Sequence, residues 1–173
     1  VIDSIATTTG AGTSYVTRSL ALIAAASFSG SKQVVIVDMD IQNSSQAHWF
    51  FDQSSQAHHG TPEGPYDASF GTKPFWRVTP SMVDSSGQNL TDNHFMSLHI
   101  VGSLNLAFTK FHWQKFRQGQ NAHIQTAREY WHRLRQQFGA IFVDTPALDR
   151  ADIINTVCRD ADSTILVASQ TQA

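Results

Sequence analysis

A single cysteine in 173 residues, Cys158, excludes an intramolecular disulfide and a cysteine-based zinc ribbon, and points to the cytoplasm as the expected compartment. Long apolar runs are also missing. The longest, Leu20 to Ala26, falls far short of the roughly 20 residues a bilayer-spanning helix needs, and no basic-then-apolar signal peptide opens the chain. Positive charge is not in excess: Lys plus Arg number 12 against 14 Asp plus Glu, a formal charge of -2, which argues against wrapping nucleic acid or coating an anionic bilayer. Hydrophobic residues, at 41%, supply enough apolar surface for a core, so disorder of the whole chain is excluded. The length favours one domain. Val1 already sits in a strand-like run and the chain stops shortly after the apolar run ending at Ala168, so both ends read as cut, leaving flanks in which an anchor would lie.

Val1 to Ala6 reads as a strand and Thr7 to Ser14, holding Gly10 and Gly12, as a loop. No Gly or Pro interrupts Tyr15 to Phe28, where Val16, Leu20, Ile23 and Ala24 recur at helical spacing, and Gly30 stands where a stop belongs; this predicts a mostly buried helix. Val34 to Val37 is a β-branched run ending in Asp38, the pattern of a strand covered on both faces of a parallel sheet. Strand, loop, helix and strand make a βαβ unit. From Gln42 to Asn93 the chain is rich in Ser, Gln, His and Gly and holds four of the five prolines, which predicts a long, partly mobile polar insertion. Ser97 to Val101 reads as a short strand. Asn121 is placed to cap a helix with the stripe Ile124, Ala127, Trp131, Leu134 and Phe138, ended by Gly139. Ala140 to Val143 is a strand ending in Asp144, Asp152 to Cys158 a short helix, and Ser163 to Ala168 a last buried strand. The expected fold is α/β, a mainly parallel sheet between helical layers, with the strands at 34–37, 140–143 and 163–167 near one another and Val1 to Ala6 between them.

The chemistry concentrates at three strand ends. A glycine loop between a first strand and a first helix is where phosphate binds, because backbone N–H groups and the helix dipole point at it. Glycines that only supply a positive-φ turn fit the same residues. Asp38 and Asp144 each close a buried strand at the sheet edge where open α/β folds build their sites, although carboxylates that merely start turns have the same placement. Taken together, loop and carboxylates suit a magnesium nucleotide: the Ser14 hydroxyl on the metal, Asp144 holding its water shell, and Asp38 orienting or deprotonating an attacking oxygen. His58 and His59 lack a second ligand pair at a recognised spacing, so metal binding there is not expected. Lys110, His112, Trp113, Lys115, Phe116 and Arg117 interleave bases with aromatics, which suits either an anionic partner surface or a loop packed against the domain.

Thr7 to Ser14, Leu20 to Ala26, Asp38-Met39-Asp40 and Phe138-Gly139-Ala140-Ile141-Phe142-Val143-Asp144-Thr145-Pro146 together resemble the deviant P-loop ATPases of the ParA/MinD type. Within that group the run ending in Asp-Thr-Pro is similar to the cytoplasmic domain of the bacterial tyrosine autokinases of capsule and exopolysaccharide systems. The resemblance implies a P-loop NTPase-like three-layer fold. It implies ATP or ADP with magnesium as cofactor, cradled by Thr9, Gly10, Ala11, Gly12, Thr13, Ser14 and Tyr15, with Asp38, Asp40 and Asp144 catalytic and Ser14, Asp38 and Asp144 around the metal. It further implies a membrane polysaccharide co-polymerase or export protein as partner, self-association, and membrane association only through that partner.

The departures are chemical. The loop lysine that meets the β- and γ-phosphates is Thr13 here, the second signature lysine falls on Thr8, and Gln42 stands where the kinases carry Arg. A charge-assisted phosphate contact contributes roughly 1.5 to 3 kcal/mol, so turnover is expected to be weak or absent and nucleotide binding itself is in question. The resulting expectation is a pseudo-enzyme with a regulatory or scaffolding role in exopolysaccharide biosynthesis or export. An active ATPase or autokinase is the alternative, and Asp38 to Asn43 also suits a ParA/MinD-like positioning or pilus-assembly factor.

Overall fold

The computed structural model describes residues 1–28, 32–81, 92–149 and 159–169. A seven-stranded sheet runs in the order β3 (Glu63–Asp67), β5 (Met96–Val101), β6 (Leu106–Phe111), β2 (Val34–Asp38), β8 (Ala140–Asp144), β1 (Ile2–Ala6) and β9 (Ser163–Val167). From β6 to β9 every pairing is parallel, and β5 and β3 extend the sheet antiparallel. β1 therefore lies between β8 and β9, as the apolar runs predict. A separate ribbon pairs β4 (Trp76–Thr79) with β7 (Asn121–Ile124).

Successive β2 residues show why the run is apolar without alternation. Val34 and Ile36 pack with Ala21 and Ala25 of α1 (Thr13–Ser27), Phe50 of α2 (Ser45–Phe50) and Phe108, while Val35 and Val37 pack with Tyr130, Trp131 and Leu134 of α4 (Arg128–Gln137). Both faces are covered by helices, giving an α/β architecture compatible with three layers.

The structure corrects several boundaries. α1 is only partly buried: its inner face is Thr17, Ala21 and Ala25, whereas Ile23 is 64% exposed. Small residues every fourth position let the helix backbone lie close to the sheet, Leu20 and Leu22 pack partly buried at the flanks of that face, and Tyr15 and Ile23 turn outward. Residues 121–124 are not helical. Asn121 to Ile124 has strand-like alternation and takes its main-chain bonds from Trp76 to Thr79, so the helix starts at Arg128; its buried face keeps Trp131 and Leu134 and adds Tyr130. The polar stretch 42–93 contributes to the core, with α2, α3 (Gln53–His59), β3 and β4 among its described residues and Phe75 and Trp76 fully buried. His58 and His59 end α3. Among the described residues β9 is an edge strand, with Leu166 exposed, not a buried one. The stop at Gly30 and the helix read at 152–158 lie outside the described residues. Among the described residues, no helix is long and apolar enough to cross a membrane.

One glycine is fixed by a close approach. Gly64 holds φ 128, and a Cβ there would lie 2.8 Å from the Leu98 carbonyl oxygen and 2.9 Å from His99 Nδ1. Gly64→Ala is expected to lower stability by about 1 to 3 kcal/mol, read as a lower Tm in thermal unfolding; an unchanged Tm would show that β3 shifts freely against β5.

Candidate functional site

Three parallel strands bring the sequence-predicted residues to one end of the sheet. β1 runs out at Ala6, and the chain turns through Gly10 (φ 86) and Gly12 (φ 92) into α1. A Cβ at either glycine would meet nothing within 4 Å, so what the turn demands there is positive φ, not room. Gly12 is the N-cap of α1, no side chain caps the helix, and its first turn carries no acid. Thr9, Gly10, Gly12, Thr13, Ser14 and Tyr15 line a cleft of about 350 Å³, faced by Asp40, Asn43, Ser45 and Thr145. Of the expected cradle Thr9 to Tyr15, Ala11 alone is outside that lining; its N–H turns back to the Thr8 carbonyl at 3.3 Å. Among the described residues, no Lys, Arg or His lines the cleft. Thr9 is already engaged by an anion of the chain itself: its N–H donates to Asp149 Oδ2 at 3.0 Å and its hydroxyl to Asp149 Oδ1 at 2.9 Å.

Beneath the cleft, Asp38 and Asp144 stand side by side in register on β2 and β8, both buried. Asp38 Oδ1 accepts the Asp40 N–H and Oδ2 the Gln46 N–H, each at 3.1 Å. Asp144 Oδ2 accepts from Gln46 Nε2 at 2.7 Å, while its Oδ1 is buried without a hydrogen-bond partner. Burial, then the neighbouring Asp144, pushes Asp38 well above the ordinary carboxylate range. Burial likewise raises Asp144 to about 6, partly offset by Gln46, the Ser14 hydroxyl and the Arg18 charge, with Asp40 adding to the rise. Asp40, in the cleft wall, accepts from Asn43 Nδ2 at 3.0 Å.

Two residues that sequence reasoning did not place in the site organise it. Gln46, fully buried on α2, donates from Nε2 both to Asp144 and to the Ser14 carbonyl at 2.9 Å. Its Oε1 accepts from Arg18 Nη1 at 3.3 Å, and the Arg18 guanidinium lies 4.7 Å from the centre of the Trp49 ring. Ser45 Oγ donates to Ser14 Oγ at 2.8 Å. Nothing in a stretch rich in glutamine and serine marks Gln46 out.

The magnesium that the resemblance implies does not fit these donors. Three of the four oxygens of Asp38 and Asp144 already accept hydrogen bonds, and the fourth is buried. Among the described residues there is no group of three or more His, Cys, Asp or Glu that could hold a metal ion.

The basic and aromatic segment after β6 divides. Trp113 and Phe116 pack against the core, the Trp113 indole N–H donates to the Ile41 carbonyl, and Lys115 donates to the His94 carbonyl at 2.8 Å. Lys110 stands 4.6 Å from the centre of the Phe51 ring in the wall of a second cavity of about 400 Å³, which shares Asn43 with the first. His99 and His112 flank the Ser97 hydroxyl at 2.8 and 2.7 Å, and burial together with nearby lysines holds both near 4.

Compared with protein families and with curated proteins, the chain matches no family model and no curated relative.

Proposed function

We propose that this chain is a degenerate P-loop-type phosphate-binding domain with weak or absent nucleotide turnover, acting as a regulatory or scaffolding component rather than a catalyst. The observation that carries the reading is the cleft itself: a positive-φ glycine loop and an uncapped helix start offer backbone donors, yet among the described residues no cation lines the cleft. Asp149 occupying the Thr9 donors weakens anion binding further. The place in bacterial exopolysaccharide biosynthesis or export, the cytoplasmic setting, the membrane co-polymerase or export partner and self-association rest on the resemblance carried by Phe138 to Pro146 and Asp38-Met39-Asp40.

Calorimetric titration with ADP and ATP tests the reading. The natural chain is expected to bind either nucleotide weakly and to show no robust hydrolysis or tyrosine phosphorylation. Thr13→Lys, placing an ammonium in the first turn of α1 beside the cleft, is expected to tighten binding by about tenfold or more. Turnover by the natural chain that vanishes in Asp38→Ala would establish an active enzyme instead, and no binding by either form would remove the phosphate reading.

A further inference from the structure

The hydrogen-bond pattern fixes which way the Gln46 amide points. Arg18 can only donate, so the Gln46 oxygen must face it; a carboxylate and a carbonyl can only accept, so the NH2 must face Asp144 and Ser14. The backbone N–H of the same residue serves Asp38. One residue thus donates to both strand-end carboxylates and relays the Arg18 charge toward them, 98 residues away in sequence from Asp144, while Asp144 Oδ1 stays without a partner.

We propose that Gln46 is the built-in counter-group of the Asp38–Asp144 pair, closing it to divalent cations, so that the adjoining cleft takes a phosphate group free of metal. The nature of that ligand rests on the function proposed above; the role of Gln46 does not. A cation reaching Asp144 Oδ2 must displace a 2.7 Å hydrogen bond from the amide nitrogen that also holds the Ser14 carbonyl, one reaching Asp38 must break two backbone contacts, and the one oxygen without a hydrogen bond, Asp144 Oδ1, is buried from solvent. The Gln46 amide also supplies what a metal would otherwise supply there, a positive end of a dipole directed at the carboxylate.

The test uses Mn2+ as probe, read by electron paramagnetic resonance and by thermal unfolding, on the nucleotide-free chain. The natural protein is expected to bind no Mn2+ at this pair and to keep its Tm. Gln46→Glu, which turns the donor into a third carboxylate, is expected to gain stoichiometric Mn2+ binding and a Mn2+-dependent rise in Tm, and both should be lost when Asp144→Asn is added. Gln46→Ser, which uncovers Asp144 without adding charge, is expected to gain weaker binding and serves if the glutamate variant folds only with metal. Stoichiometric Mn2+ binding by the natural chain that disappears in Asp144→Asn would overturn the proposal, as would failure of both Gln46 variants to bind. ADP affinity measured in chelator and in magnesium separates the two readings. Equal affinities support metal-free binding, tenfold tightening by magnesium overturns it, and absence of binding in both sinks the proposed function while the Mn2+ measurements still decide the role of Gln46.

Discussion

Asp144→Asn is expected to stabilise the protein at neutral pH by on the order of 1 to 3 kcal/mol and to change little near pH 4, in urea unfolding at a series of pH values. Burial raises Asp144 from an ordinary 3.8 to about 6. A folded-state carboxyl raised in this way binds its proton more tightly than the unfolded chain does. Its favourable contribution is complete below about 3.8 and is lost as pH rises through about 6. Asparagine keeps the shape and an oxygen for Gln46 Nε2 but removes the charge, so the gain of the variant over the parent should open across that window. Loss of a counter-charge for half-buried Arg18 works the other way and keeps the gain below the full linkage value. His99 and His112 slope oppositely. Both are lowered from 6.5 to about 4, so their favourable contribution is complete above 6.5 and is lost as pH falls through about 4. The difference between variant and parent, not the parent's own curve, therefore isolates Asp144. Equal destabilisation at every pH would show that Asp144 only caps a turn.

Phe108→Ala is expected to cost about 3 to 5 kcal/mol, the range for emptying a large aromatic site that cannot collapse. The ring is fully buried, stacks on Phe50 at a centroid distance of 4.6 Å and on His99 at 5.4 Å, and meets Phe51 edge-on at 5.6 Å. These partners come from α2, the residue after it and β5, so none can move in alone to fill the void. Ile23→Ala, on the outward face of α1, is expected to stay within about 0.5 kcal/mol of the parent and is the control. A Phe108→Ala variant as stable as that control would mean that α2 is not held to the sheet by this ring.

Phe108 also shows where the sequence stops being readable. β6 is central to the sheet, yet Leu106 to Phe111 mixes its apolar residues with Thr109 and Lys110 and runs into a basic, aromatic segment that draws attention away from it. Both polar residues have tertiary uses that no periodicity reveals: Thr109 Oγ1 accepts the Asp38 N–H at 2.9 Å, and Lys110 lies over Phe51. By contrast, β1, the glycine turn, α1 and β2 are legible because punctuation and uninterrupted apolar runs agree, and each buried run that ends in Asp sets a carboxylate at the sheet edge. The start of α4 misleads because Asn121 and Ile124 fit a capped helix and an alternating strand equally well, and only the partner strand Trp76 to Thr79 decides. Gln46 was illegible for a related reason: its meaning depends on a carboxylate that the fold, not the local sequence, brings to it.

The place of β1 governs the order of assembly. Its neighbours β8 and β9 are the last two described strands of the chain, and the Thr145 hydroxyl closes on the Ser4 carbonyl across 141 residues. Closing so long a loop costs chain entropy before any ladder bond forms, and pairings of this separation slow folding. During synthesis the first strand emerges with neither neighbour yet made. Its edges stay open until the ribosome has delivered β8, and until then they present unpaired backbone groups to which another molecule's strand can add.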